Sequence, residues 1–140
     1  MLKSVCVGLL VMALLTTSFG LPSKTYYAKL DKYKKVFKTP AFDFSGGKLV
    51  VSGIVKGVEV SGGNDGCYTL TVSTYSFAPN GEKILRGSRS KRVCVDITKL
   101  PELAVDGLPR GRYIVEVEID RQREFGEARF EAEINVAHSS

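Results

Sequence analysis

The chain has 140 residues with 20 Lys and Arg against 15 Asp and Glu, a formal net charge of +5, and 44% hydrophobic residues. That length and balance fit one globular domain with a real core, and they exclude both a collagen-like fibre and a charge-rich disordered chain. One histidine in the whole sequence also narrows the catalytic chemistry open to it.

Residues 1–20 read as a signal peptide. Lys3 precedes the apolar run VCVGLLVMALL, and Ser18 and Gly20 stand at the small-residue positions of a cut before Leu21. The apolar run is too short to cross a bilayer comfortably. Its removal leaves 120 residues, takes away Lys3 and Cys6, and predicts a secreted, extracellular or lumenal protein with a net charge of +4. The two remaining cysteines, Cys67 and Cys94, are expected to pair in an oxidising compartment. A bridge closing a loop of that length adds about 3 kcal/mol, mainly by restricting the unfolded chain.

A basic N-terminal segment, 21–40, comes next. In KTYYAKLDKYKKVFK, Tyr26, Leu30, Tyr33 and Phe37 fall at spacings that fit one face of a short helix, with six lysines around it and Thr39-Pro40 as its stop. Two forms are open: a basic amphipathic helix that lies on an anionic membrane, and a solvated helix or irregular edge strand packed on the rest by its aromatics.

From 41 to 137 strand periodicity governs. Leu49, Val51 and Val55 oppose Lys48, Ser52 and Lys56, with Gly53 and Gly57 reading as bulges or bends. After SGGNDG, Tyr68, Leu70 and Val72 alternate with Cys67, Thr69 and Thr71, and Asn80-Gly81 marks a turn. Val93, Val95 and Ile97 then alternate with Arg92, Cys94 and Asp96. In LPRGRYIVEVEID, Tyr113, Val115, Val117 and Ile119 oppose Ile114, Glu116, Glu118 and Asp120, and in the last run Phe130, Ile134 and Val136 oppose Glu131 and Glu133. The pattern predicts an all-β protein, an antiparallel immunoglobulin-like β-sandwich over 41–137, with its disulfide at an outer face or strand end.

The carboxylates have the spacing of a catalytic pair, since same-face residues on a strand stand about 6.5–7 Å apart, close to the spacing used by inverting glycosidases. A general acid needs burial to raise its pKa, and Glu116, Glu118, Glu131 and Glu133 read as one solvated outer face balanced by Arg121, Arg123 and Arg129. His138 lies near the C-terminal end, where order is not expected, so a nucleophile has no base. No metal-ligand spacing and no phosphate loop occurs, and no cofactor is expected. The sequence therefore reads as a binding protein and not an enzyme. Lys83, Arg86, Arg89, Lys91 and Arg92 form a basic patch suited to an anionic glycan, a membrane surface or an acidic protein, with nucleic acid not expected of a secreted chain.

The stretch LPELAVDGLPRGRYIVEVEID, through Leu100-Pro101, Leu108-Pro109, Gly111 and Tyr113, resembles secreted lipid-recognition sandwiches of the ganglioside-activator type. The same approach to a strand is used by generic immunoglobulin-like sandwiches, and this chain lacks that family's several disulfides. The resemblance implies a non-enzymatic carrier of a lipid or other apolar small molecule held between two sheets. Its pocket candidates are Leu70, Val72, Val95, Tyr113, Val115, Val117, Phe130 and Ile134, which would equally fill a closed core.

Overall fold

The computed structural model describes residues 22–58, 67–121 and 128–138. The signal segment 1–20, the SGGNDG loop and Arg123 lie outside the described residues. Ten strands follow in order: β1 Ser23–Leu30, β2 Val36–Lys38, β3 Phe42–Phe44, β4 Gly47–Val58, β5 Tyr68–Phe77, β6 Lys83–Val93, β7 Ile97–Lys99, β8 Leu103–Leu108, β9 Gly111–Asp120 and β10 Arg129–His138.

All pairings are antiparallel. In the first sheet β1 pairs β10, β10 pairs β4, and both β7 and β8 pair the far edge of β4. In the second, β2 and β3 share one edge of β9, followed by β5 and then β6. The sheets pack face to face as the sandwich expected. If β2 with β3, and β7 with β8, are each taken as one interrupted strand, the order is jelly-roll-like.

The break between β2 and β3 has a local cause. Pro40 has no N–H for a ladder, and the Thr39 side chain fills in by accepting from the Val115 N–H at 3.0 Å.

The core follows the alternation. Leu49, Val51, Val55, Leu70, Val72, Tyr113, Val115, Val117, Phe130 and Ile134 are each 0% exposed. Tyr113 also donates its hydroxyl to the Pro109 carbonyl at 2.6 Å. That bond ties the LPRGRY turn to the strand it starts, in the manner of a tyrosine corner.

Several expectations are corrected. Residues 24–38 form no helix: β1 pairs β10 along its whole length, and the sandwich begins at Ser23 instead of residue 41. Tyr26 and Leu30 are four apart, an offset that fits a strand as well as a helix. Ala28 buried between them and Tyr27 exposed at 73% show period two. Val95 is 60% exposed, because the chain leaves one sheet after Val93 and joins the other at Ile97. Glu131 and Glu133 face outward from the first sheet, whereas Glu116 and Glu118 do so from the second, so the four acids do not share a face.

His138 is the last residue of β10. It pairs with Leu49 and stacks on Phe42, with ring centroids 5.0 Å apart. Gly53 is no bulge, since the β4–β10 register runs through it unbroken. Its φ is +152°, and a Cβ there would collide with the Glu133 carbonyl oxygen. Glycine is required at that spot by close backbone approach.

Candidate binding surface on the edge strand

β6 is the outermost strand of its sheet, and among the described strands its backbone pairs with β5 alone. No acidic residue occurs between Lys83 and Val93, and four of its five cations are exposed, with Arg86 half-buried. The five sequence-predicted basic residues are thus brought to one uncovered edge. Uniform charge on an exposed edge also discourages pairing with another chain's edge strand.

The cations do not form one stripe. Cross-strand partners point to the same side, so Arg92, opposite Thr69, and Lys83, opposite Phe77, stand on the outer face of the sheet. Ser88 and Ser90 share that face and hydrogen-bond Ser73 at 3.0 Å and Thr71 at 2.9 Å. Arg89 and Lys91 lie opposite Val72 and Leu70 and therefore turn toward the seam between the sheets. Lys91 crosses that seam, with Nζ 2.9 Å from Thr98 Oγ1 and 3.4 Å from the Lys99 carbonyl.

Arg86 occupies a bulge. Thr74 pairs Gly87 and Tyr75 pairs Leu85, which leaves Arg86 as the extra residue. Its Nε donates to Ser76 Oγ at 2.8 Å, on the seam side. Next to it, a Cβ on Gly87 would come within 2.7 Å of Val105 Cγ2 in the other sheet, so the seam closes tightly here.

Lys83 has an internal partner that the linear sequence did not reveal. Its Nζ lies 2.6 Å from Glu116 Oε2 and 4.4 Å from the Tyr75 ring centroid. The hydrogen bond to Glu116 raises the Lys83 pKa above its ordinary value. Lys38 stands 4.0 Å from the same carboxylate oxygen, and the Glu116 side chain is only 14% exposed. Glu116 is therefore held in a cross-strand charge cluster, while Glu118 opens to solvent.

Cys67 and Cys94 are joined, one just before β5 and the other just after β6. The bridge staples the edge strand to its neighbour at a strand end, as expected. At the same end Tyr68 packs edge-on against Phe130 at 4.6 Å, and burial, with a smaller contribution from Asp96, pushes its hydroxyl pKa up to about 12.

Seven of the eight inter-sheet pocket candidates come together, but as packed core, and Val95 lies outside it. Of the eight, only Phe130 lines one of the described clefts, a surface cleft of about 270 Å³ formed with Lys29, Leu30, Asp31, Arg129 and Glu131.

No protein-family model matches the chain, and no curated protein matches it in sequence. Among solved structures it is similar to the CBM22-1 xylan-binding domain from Paenibacillus barcinonensis Xyn10C, at 13% identity and a TM-score of 0.47 over 86% of this chain and 88% of that one. It is also similar to the Yersinia pseudotuberculosis-derived mitogen, at 8% identity and a TM-score of 0.44 over 86% of this chain and 88% of that one. A third likeness is to infectious bursal disease virus, Gx strain, at 9% identity and a TM-score of 0.46, where 85% of this chain spans only 30% of the viral chain. Similarities this distant carry nothing about what the chain binds.

Proposed function

We propose that this chain is a secreted, non-enzymatic binding module that recognises a linear polyanion, an acidic or sulfated glycan, along the edge strand β6. The observation that carries this reading is the uncovered edge with five cations and no acid between Lys83 and Val93. From Lys83 to Arg92 the cations are spread over about 30 Å of extended chain, a length suited to a polymer and not to a single small anion. The serine and threonine hydroxyls of the outer face add neutral hydrogen-bonding groups beside them. Secretion is supported by the apolar leader and by the disulfide. The inter-sheet carrier reading gains no such support, since seven of its eight candidates are fully buried against one another.

The test is retention on immobilised heparin. Wild-type protein binds at 0.1 M salt and elutes well below 1 M, where the Debye length shrinks to about 3 Å. Changing Lys83, Arg86, Arg89, Lys91 and Arg92 to Glu abolishes retention, with the fold checked by circular dichroism. Unchanged retention of that variant would leave the charged edge as protection against aggregation only.

A further inference from the structure

We infer that one end of the sandwich, the rim carrying the β1–β2 turn, docks on an anionic lipid bilayer. The residues involved are separate from the middle of β6, and the inference stands whether or not β6 holds a glycan.

The turn Asp31–Lys34 is tightly closed. Asp31 N–H donates to the Lys34 carbonyl at 2.9 Å and Lys34 N–H returns to the Asp31 carbonyl at 3.2 Å. Asp31 Oδ1 also accepts from the Tyr33 and Lys34 N–H groups, at 2.8 and 3.0 Å. The chain then resumes pairing at Lys35, whose carbonyl accepts from Ile119 N–H at 3.0 Å. The one acid of the tip is thereby spent on its own backbone. What the turn presents outward is Tyr33, 85% exposed, between exposed Lys32, Lys34 and Lys35.

A second apolar corner lies on the same rim. Leu30 pairs Phe130, Phe130 pairs Gly57, and Gly57 N–H donates to the Asp96 carbonyl. These steps run straight across the first sheet, and at about 4.8 Å per strand they set the 94–97 link roughly 15 Å from the end of β1. That link exposes Val95 and Ile97, each at 60%, with Arg92 before it and Lys56 paired to Ile97. Three of the large exposed apolar side chains therefore share one end of the molecule.

An aromatic ring set among lysines matches the interface of a bilayer, where the ring sits at headgroup level and the ammonium groups meet acidic lipid. A soluble polyanion would use the lysines but leave Tyr33, Val95 and Ile97 wet. Among the described residues, the exposed acids nearest this rim are Glu118 and Asp120 on one outer sheet face, Glu131 on the other beside Lys56 and Ile97, and Asp96 within the 94–97 link. In this pose the strands stand off the membrane and β6 runs away from it.

Co-sedimentation with vesicles tests the pose. Wild-type protein should pellet with phosphatidylcholine vesicles containing about 30% phosphatidylserine and not with pure phosphatidylcholine. Changing Lys32, Lys34 and Lys35 to Glu should weaken binding by on the order of a hundredfold, and Tyr33→Ser or the pair Val95→Ser, Ile97→Ser by several-fold. Melting temperature should hold in all three, because every altered side chain is exposed. Arg86→Glu with Arg89→Glu should leave vesicle binding intact while lowering heparin retention. Failure of the wild type to pellet, loss of vesicle binding in that β6 variant, or full binding by the lysine variant each overturns the docking pose. Full binding by both apolar variants reduces the contact to charge alone and overturns insertion.

Discussion

Val117→Ala separates a filled core from a ligand cavity. Val117 is 0% exposed in the middle of β9, paired with Val72 on one side and Phe37 on the other. The substitution deletes two carbons, about 1.6 kcal/mol at 0.8 per buried methylene. Neighbours in two regular sheets relax little, so a residual void of roughly 40 Å³ adds about 1 kcal/mol more at 24 cal/mol per Å³. The expected loss is about 2.5 kcal/mol, or roughly 10 °C in Tm for a domain of this size. In a carrier the carbons would border space already vacant, the void contribution would vanish, and apolar ligand affinity would fall instead. Thermal melts of wild type and variant, each with and without a fluorescent fatty acid, read both quantities on the same samples. A drop in Tm below about 4 °C, together with saturable uptake by the wild type, refutes the closed core.

Two further outcomes follow from particular contacts. Gly53→Ala should destabilise by at least 3 kcal/mol, from overpacking plus positive-φ strain, because the new methyl collides with the Glu133 backbone; urea unfolding reads it, and a shift under 1 kcal/mol would show that β4 and β10 separate at little cost. For Tyr68, the folded pKa of about 12 lies above the ordinary 10.0, so the folded state keeps a proton that the unfolded chain releases. Its contribution is complete below pH 10 and declines as pH rises toward about 12. Urea midpoints across that window should fall in the wild type and fall less in Tyr68→Phe, where the raised Tyr113 and Lys83 supply the remaining slope.

Where two faces of a strand differ, the sequence spoke plainly. Val115 to Ile119 and Phe130 to Val136 alternate without interruption, and each lies in a strand with its apolar side inward. The disulfide and the clustering of basic residues were equally open to reading. Alternation does not say which sheet a strand joins, however, so it cannot tell that Glu131 and Glu133 stand on the outer face opposite to that of Glu116. It also runs on across a crossing, and for that reason Val95 looked like a core residue. The N-terminal lysine-rich stretch stays open between helix and edge strand for another reason. Its four-residue spacing is common to both periods, and only pairing with β10 decided between them. That β6 lies at an edge was visible in hindsight, since Lys83 to Arg92 holds few apolar residues for any second neighbour to cover. The Lys83–Glu116 pair, 33 residues apart in sequence, had no local signal at all.

The staple at the end of β6 has a mechanical consequence. An edge strand with one hydrogen-bonded neighbour resists force in two very different ways. Tension along its axis loads the whole β5–β6 ladder at once, whereas a sideways pull opens it one rung at a time from a free end. Cys94 is tied to Cys67, so the Val93 end cannot act as that free end. The Lys83 end is no freer, because the tight turn from Ala78 to Glu82 carries β5 directly into β6 there and the ion pair to Glu116 adds a lateral restraint. Both ends of the two-strand ladder are thus covalently closed, by a turn at one and by sulfur at the other. A sideways pull has to strain several rungs together before any one of them opens.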